Sequence, residues 1–176
     1  PPTPPARTAP HEGAERRLRD RHDPARVRDV VGVGIGPFNL GLAALSAPLD
    51  DVDAVFLDAA SEFRWHPGMM IEGATIQVPF LADLVTMADP TSPYSFLAFL
   101  KATGRLYPFY IRESFYPLRA EYDAYCRWVA ARLGSLRWSR RVIAVEHDPA
   151  ADAFVVRAET LAAAGRWGWE GGPGPR

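Results

Sequence analysis

Asp29-Val-Val-Gly32-Val-Gly34-Ile-Gly36-Pro37-Phe-Asn-Leu40 joins a short apolar run to a glycine-rich turn and then to residues with helical spacing. Val30, Val31 and Val33, with no polar alternation, are the pattern of a strand buried on both faces. Gly32 permits a tight turn out of that strand, and Gly34 lets backbone come close to a pyrophosphate. Pro37 suits the first helical position, where its missing N–H costs nothing. Leu40, Ala43, Ala44 and Ala47 continue at helical spacing until Pro48. Asp53-Ala-Val-Phe-Leu-Asp58 is a second strand of the same buried type. Strand, glycine turn, helix and strand in that order predict a βαβ unit with parallel strands and a right-handed crossover. The positive end of the helix then faces an anion, and Asp58 stands where an acid accepts from the ribose hydroxyls of an adenosine. The third glycine of a dinucleotide fingerprint would fall at position 37, which is proline here. A glycine turn that holds no ligand is the competing reading, and the turn alone does not separate FAD from NAD(P).

Beyond Asp58 the composition changes. Residues 59–120 are rich in aromatics and prolines, with short helices expected at Phe80–Met87 and Pro93–Thr103. Ser92 is placed to cap the second of these and Gly104 to stop it. Arg119–Leu133, closed by Gly134, reads as a longer helix whose apolar positions Tyr122, Tyr125, Cys126, Val129, Ala130 and Leu133 share one face. Cys126 on that face reads as a small core hydrophobe. Arg141–His147 and Ala153–Glu159 flank Asp148-Pro-Ala-Ala-Asp152 and read as an antiparallel hairpin. The expected fold is an incomplete α/β, Rossmann-like domain with parallel strands, a helical insertion over 61–134 and a late antiparallel hairpin.

The 176 residues suit one domain. Hydrophobic residues at 48% and charged residues at 23% exclude wholesale disorder. Twenty basic residues against 21 acidic give a net charge of −1, so no nucleic-acid partner is expected. There is no long apolar run and no signal-peptide core, so neither a membrane span nor secretion is expected, and the location reads as cytoplasmic. One cysteine allows no internal disulfide, and His11, His22, His66 and His147 lack metal-ligand spacing, so no metal is expected. Residues 1–28 hold six prolines and seven arginines against four acids and read as a disordered leader. Residues 161–176 read as a tail that no folded element needs, which leaves 29–160 as the domain.

Few side chains offer chemistry. In Phe63-Arg-Trp65-His66-Pro-Gly-Met69, Trp65 and His66 suit stacking on, or hydrogen bonding to, a flat ring. A buried tryptophan beside a satisfied histidine fits equally well. Gln77, an amide within Thr75-Ile-Gln77-Val-Pro-Phe80, needs partners if buried, and a cofactor is one candidate. Asp83 and Asp89 read as capping or solvated residues, and Arg140-Arg141 as a solvated pair. No catalytic triad and no acid–base pair is present, so in an enzyme a cofactor must supply the reactivity.

Several segments together resemble one family. They are Gly32–Leu40, Trp-His-Pro-Gly-Met at 65–69, Phe-Leu-Ala-Asp-Leu-Val-Thr-Met-Ala-Asp-Pro-Thr-Ser-Pro-Tyr-Ser-Phe at 80–96, Phe-Tyr-Pro-Leu-Arg119 and Glu121–Trp128. They look like the flavin-dependent N-hydroxylating monooxygenases of siderophore biosynthesis, the lysine, ornithine and diamine N-hydroxylases. The likeness runs from Asp29 to Glu159, and that family also carries proline at the third glycine. The resemblance implies FAD held by Gly32, Gly34, Gly36, Pro37, Phe38 and Asn39, by Asp58, Trp65, His66 and Gln77, and by backbone near Val142. It also implies NADPH as reductant, with O2 and a small primary amine as substrates. A free alkyl amine has a pKa of about 10.4, so an apolar site that disfavours its charge would help.

Members of the family are much longer, with an NADPH-binding domain inserted later. An N-terminal fragment, arising by truncation or frameshift and inactive on its own, is therefore expected, and a homo-oligomer is left open for the full-length parent. In the family's amino-acid hydroxylases, a lysine before the aspartate that matches Asp83 pairs with the substrate's carboxylate. Here that residue is Ala82. A desolvated carboxylate without a partner is costly, whereas cadaverine or putrescine needs no cation there. A diamine is thus the expected substrate, with lysine or ornithine as the alternative. Two other classes stay open: a different flavoprotein monooxygenase, and a non-catalytic nucleotide-binding remnant.

Overall fold

The computed structural model describes residues 26–162. β1 (Val30–Val33) passes through the glycine turn into α1 (Pro37–Ser46), and the chain returns as β2 (Ala54–Leu57), parallel to β1. Gly32 lies opposite Phe56 in the register, and a Cβ there would run into the fully buried Phe56 ring. Gly32 thus lies within the strand, and not in the turn as its sequence suggests, and is a packing requirement of the sheet. A third strand, β3 (Leu136–Arg137), lies parallel to β2 on its other side. Phe56 and Asp58 donate their N–H groups to Ser135 and Arg137, so β2 is bonded on both edges. That position explains its unbroken apolar sequence.

α1 packs against β2 and against α4 (Arg119–Ala130). Their meeting faces, Leu40, Ala43 and Ala44 with Tyr125, Cys126 and Val129, are fully buried with Phe56. Each large apolar side chain enclosed in this way contributes about 1.5–3 kcal/mol. Cys126 is buried on the apolar face of α4, as its spacing indicates.

The insertion between β2 and α4 differs in detail from its expected helices. Phe80–Met87 forms a 3-10 turn over Phe80–Ala82 alone. Asp83 is extended, and its carboxylate accepts the N–H groups of Val85 and Thr86, a local competitor to the helix ladder. The next helix, α2, starts at Phe96 and ends at Ala102, capped by Ser95 and not Ser92. Ser95 accepts from Ala98 N–H, whereas Ser92 accepts from Tyr94 N–H in the preceding turn. Gly104, at φ +70°, stops α2 as expected. An unexpected helix, α3 (Leu106–Ile111), holds Pro108 within its first turn, where proline is tolerated. α4 ends at Ala130, with Arg132 and Leu133 closing tighter i→i−3 bonds beyond it.

The late hairpin is β4 (Arg140–Asp148) against β5 (Ala153–Thr160), antiparallel with a bulge between Val142 and Ala144. Its start is tied to the end of β2, since Ser139 and Arg140 donate to Ala60 and Asp58 carbonyls. At the other end, Arg26 and Arg28, within the expected leader, form ion pairs with Asp53 beside β2. The rest of that leader through residue 25, and the tail from 163, lie outside the described residues. No helix among the described residues is long and apolar enough to cross a membrane.

Candidate functional site

The glycine turn is open on the side away from the sheet. Gly34 adopts φ +83°, and no atom stands within 4 Å of a Cβ built there or at Gly36. Gly36 caps α1 without any side-chain bond, and Pro37 follows at its first position. The next N–H groups, on Phe38 and Asn39, have no carbonyl one turn back to bond. The turn is braced from behind. Asn39 donates its amide to the carbonyls of Val33 (3.2 Å) and Gly34 (2.7 Å). Asp58 accepts Ile35 N–H at 2.6 Å on one oxygen and Ala60 N–H at 2.7 Å on the other.

A cleft of about 510 Å³ begins at this turn, within the usual range of small-molecule sites. Pro37, Phe38, Trp65, His66, Gln77 and Arg119 line it, with Met69, Ile76, Val78 and Tyr122. The structure therefore gathers Trp65, His66 and Gln77 on one concave surface with the end of the turn. Gln77 is exposed in this cleft and not buried. Phe38, at 96% exposure, projects its ring away from α1. His66 holds a left-handed backbone, φ 43°, which costs about 1–2 kcal/mol for a residue with a Cβ. Its ring meets the edge of Trp65 at 5.4 Å.

Two connections set the cleft's far wall. Ile76 N–H and Phe80 N–H donate to Pro117 and Phe115, and Arg119 N–H donates to Ala74, so the Gln77 segment lies beside the start of α4. Trp65 donates its backbone N–H to Asp123 and packs edge-on against Tyr122 at 4.8 Å. The Arg119 guanidinium lies over the Trp65 ring, 4.6 Å from its centroid. The Arg119 Nε is buried with no hydrogen-bond partner, a deficit of about 1–3 kcal/mol.

Ala82 and Val142 stand apart from this lining. Ala82 ends the 3-10 turn on the surface, and Val142 pairs with Ala158 at the base of the hairpin. Arg119, Tyr122 and Met69 also line the cleft, though the sequence assigns none of them a site role. For Arg119 a signal existed: a cation at the first position of a helix opposes the helix dipole.

The family model described as L-lysine 6-monooxygenase/L-ornithine 5-monooxygenase matches residues 26–167. A putrescine N-hydroxylase of Shewanella oneidensis is 52% identical over 132 residues, 75% of this chain and 26% of that protein. Among solved structures, the FAD-bound cadaverine monooxygenase of desferrioxamine biosynthesis from Erwinia amylovora is 55% identical. It superposes with a TM-score of 0.75 over 77% of this chain and 32% of that one. An ornithine N-hydroxylase of Kutzneria, solved with reduced FAD, NADP+ and L-ornithine, is 34% identical with a TM-score of 0.74, over 78% of this chain and 34% of that one. The chain thus spans about a quarter to a third of the length of these relatives. With four-fifths of its residues matched by the model and its α/β fold shared with these structures, the chain belongs to the L-lysine 6-monooxygenase/L-ornithine 5-monooxygenase family.

Proposed function

We propose that residues 29–160 are the FAD-binding portion of an NADPH- and O2-dependent monooxygenase. Its reaction is N-hydroxylation of the terminal primary amine of a diamine, cadaverine or putrescine, for hydroxamate siderophore biosynthesis. The observation that carries this reading is the junction of an open glycine turn with an aromatic, polar-edged cleft. The residues present fit FAD. Gly34 and Gly36 leave room for a pyrophosphate against the backbone, and the uncapped start of α1 offers it N–H groups and a positive dipole end. Asp58 uses its oxygens to brace the turn but keeps lone pairs that can accept a ribose hydroxyl. Trp65, His66 and Gln77 form a wall suited to a flat ring.

Bound there, FAD supplies the redox chemistry, taking electrons from NADPH and activating O2. The protein's own part is to hold and to shield. Phe38, Met69, Ile76 and Val78 give the cleft an apolar lining, and an apolar surrounding favours the neutral amine that can accept oxygen. The NADPH-binding part is assigned to the length of the relatives that this chain does not cover.

Two features support a diamine over an amino acid. Ala82 offers no charge to a substrate carboxylate, and the relatives named for putrescine and cadaverine share more sequence with this chain than the ornithine enzyme does. The test is turnover of cadaverine, putrescine, lysine and ornithine by the whole polypeptide that carries this sequence, read as hydroxylamine formed. A diamine should be preferred. Preference for lysine or ornithine over both diamines would overturn the substrate, and absence of any amine-dependent product would overturn the reaction.

A further inference from the structure

We propose that Arg119 receives the electron-rich carbonyl edge of the flavin ring, the edge that gains negative charge on reduction. This rests on the FAD reading above and adds a contact that the glycine turn does not supply.

Arg119 lines the cleft with Pro37, Phe38, Trp65 and Gln77. Its guanidinium carbon lies 4.6 Å from the centre of the Trp65 ring, which tethers the side chain beside the cleft. None of the ion pairs among the described residues includes it, and its Nε is buried without an acceptor. The two acids that follow on α4 are committed elsewhere. Glu121, 6% exposed, pairs with Arg105 and Arg112, while Asp123 binds Arg127 and the Trp65 backbone. Arg119 also opens α4, where the helix dipole opposes a cation.

A cation in a cleft without an acid among its lining residues favours a ligand that brings electron-rich atoms. A diamine, which is cationic until it loses a proton, is a poor match for it. A pyrophosphate has its own cradle at the start of α1. The planar fork of a guanidinium matches an N–C=O edge, which a flavin ring presents. Two-electron reduction with uptake of one proton leaves a negative charge on that edge, so Arg119 would favour the reduced form.

The test compares the wild-type chain with Arg119→Met and Arg119→Gln, each first checked by thermal unfolding so that one folded variant suffices. The readouts are the FAD dissociation constant and the midpoint potential of the bound flavin. Loss of one charge-assisted contact should weaken FAD binding about tenfold and make the flavin harder to reduce. A folded variant with wild-type affinity and potential overturns the role of Arg119 and leaves the FAD reading standing. A wild-type chain that binds no FAD removes the FAD reading, and Arg119 with it.

Discussion

At Asp83 one carboxylate joins two stretches of chain. It accepts from the backbone of Val85 and Thr86, from the Thr86 hydroxyl, and from Phe96 N–H at the start of α2. Hydrogen bonds to a charged acceptor contribute about 1.5–3 kcal/mol each before coupling, and the Phe96 bond works as a helix cap besides. Asp83→Ala should therefore lower unfolding free energy by at least about 2 kcal/mol in urea titrations. A loss below half of that would mean that water replaces the carboxylate. The sequence reads Asp83 as a capping or solvated residue, and its bond to Phe96 spans an interval that local pattern does not reveal. Glu121 is similar: its helix is legible from periodicity, whereas its two arginine partners, Arg105 and Arg112, become visible only once α3 folds back.

Among the elements, the βαβ unit was readable because each part has its own local cause: an apolar run, a turn that needs glycine, a proline at a helix start. Three glycine substitutions separate those causes. Gly32→Ala forces a Cβ into Phe56 and should cost about 1–3 kcal/mol as overpacking. Gly34→Ala meets open space but a left-handed backbone, and should cost about 1–2 kcal/mol. Gly36, at φ −83° with open space, should tolerate alanine within about 0.5 kcal/mol. Equal losses at all three in thermal or denaturant unfolding would contradict this assignment. β3 escaped the sequence because two residues carry no periodicity, and its pairing with β2 is a tertiary fact. The insertion was legible in composition but not in helix boundaries, since Asp83, Ser95 and Pro108 act through hydrogen bonds that compete with spacing.

At the scale of the molecule, the core formed by the described residues encloses Cys126, Tyr122 and Tyr125, groups that ionise at high pH. Desolvation, more than any neighbour, pushes the Cys126 thiol and the Tyr122 and Tyr125 phenols well above their ordinary values. In the unfolded chain they ionise near about 8.5 for the thiol and about 10 for the phenols. The folded state keeps its protons longer, so their contribution is fully present below those values and is lost as pH rises. The loss is about 1.4 kcal/mol per pH unit for each group once its unfolded pKa is passed. The denaturation midpoint should be flat through these groups below about pH 8 and fall steeply above about pH 10. A midpoint unchanged to pH 11 would show that the core admits water. The same burial predicts that Cys126 reacts with thiol reagents only after unfolding.

The cleft was half legible at this scale. Trp65, His66 and Gln77 are legible from their own segments, while its far wall, Arg119 and Tyr122, arrives from α4 only in the folded chain. Its central claim is that the turn holds a pyrophosphate and the cleft a flavin ring at once. Equilibrium titration of the chain with FAD, and in parallel with riboflavin, tests both halves together. The account predicts saturable binding of one FAD per chain, with flavin fluorescence quenched beside Trp65 and far weaker binding of riboflavin, which lacks the pyrophosphate and adenosine. Absence of saturable FAD binding, or riboflavin binding as tight as FAD, would contradict it.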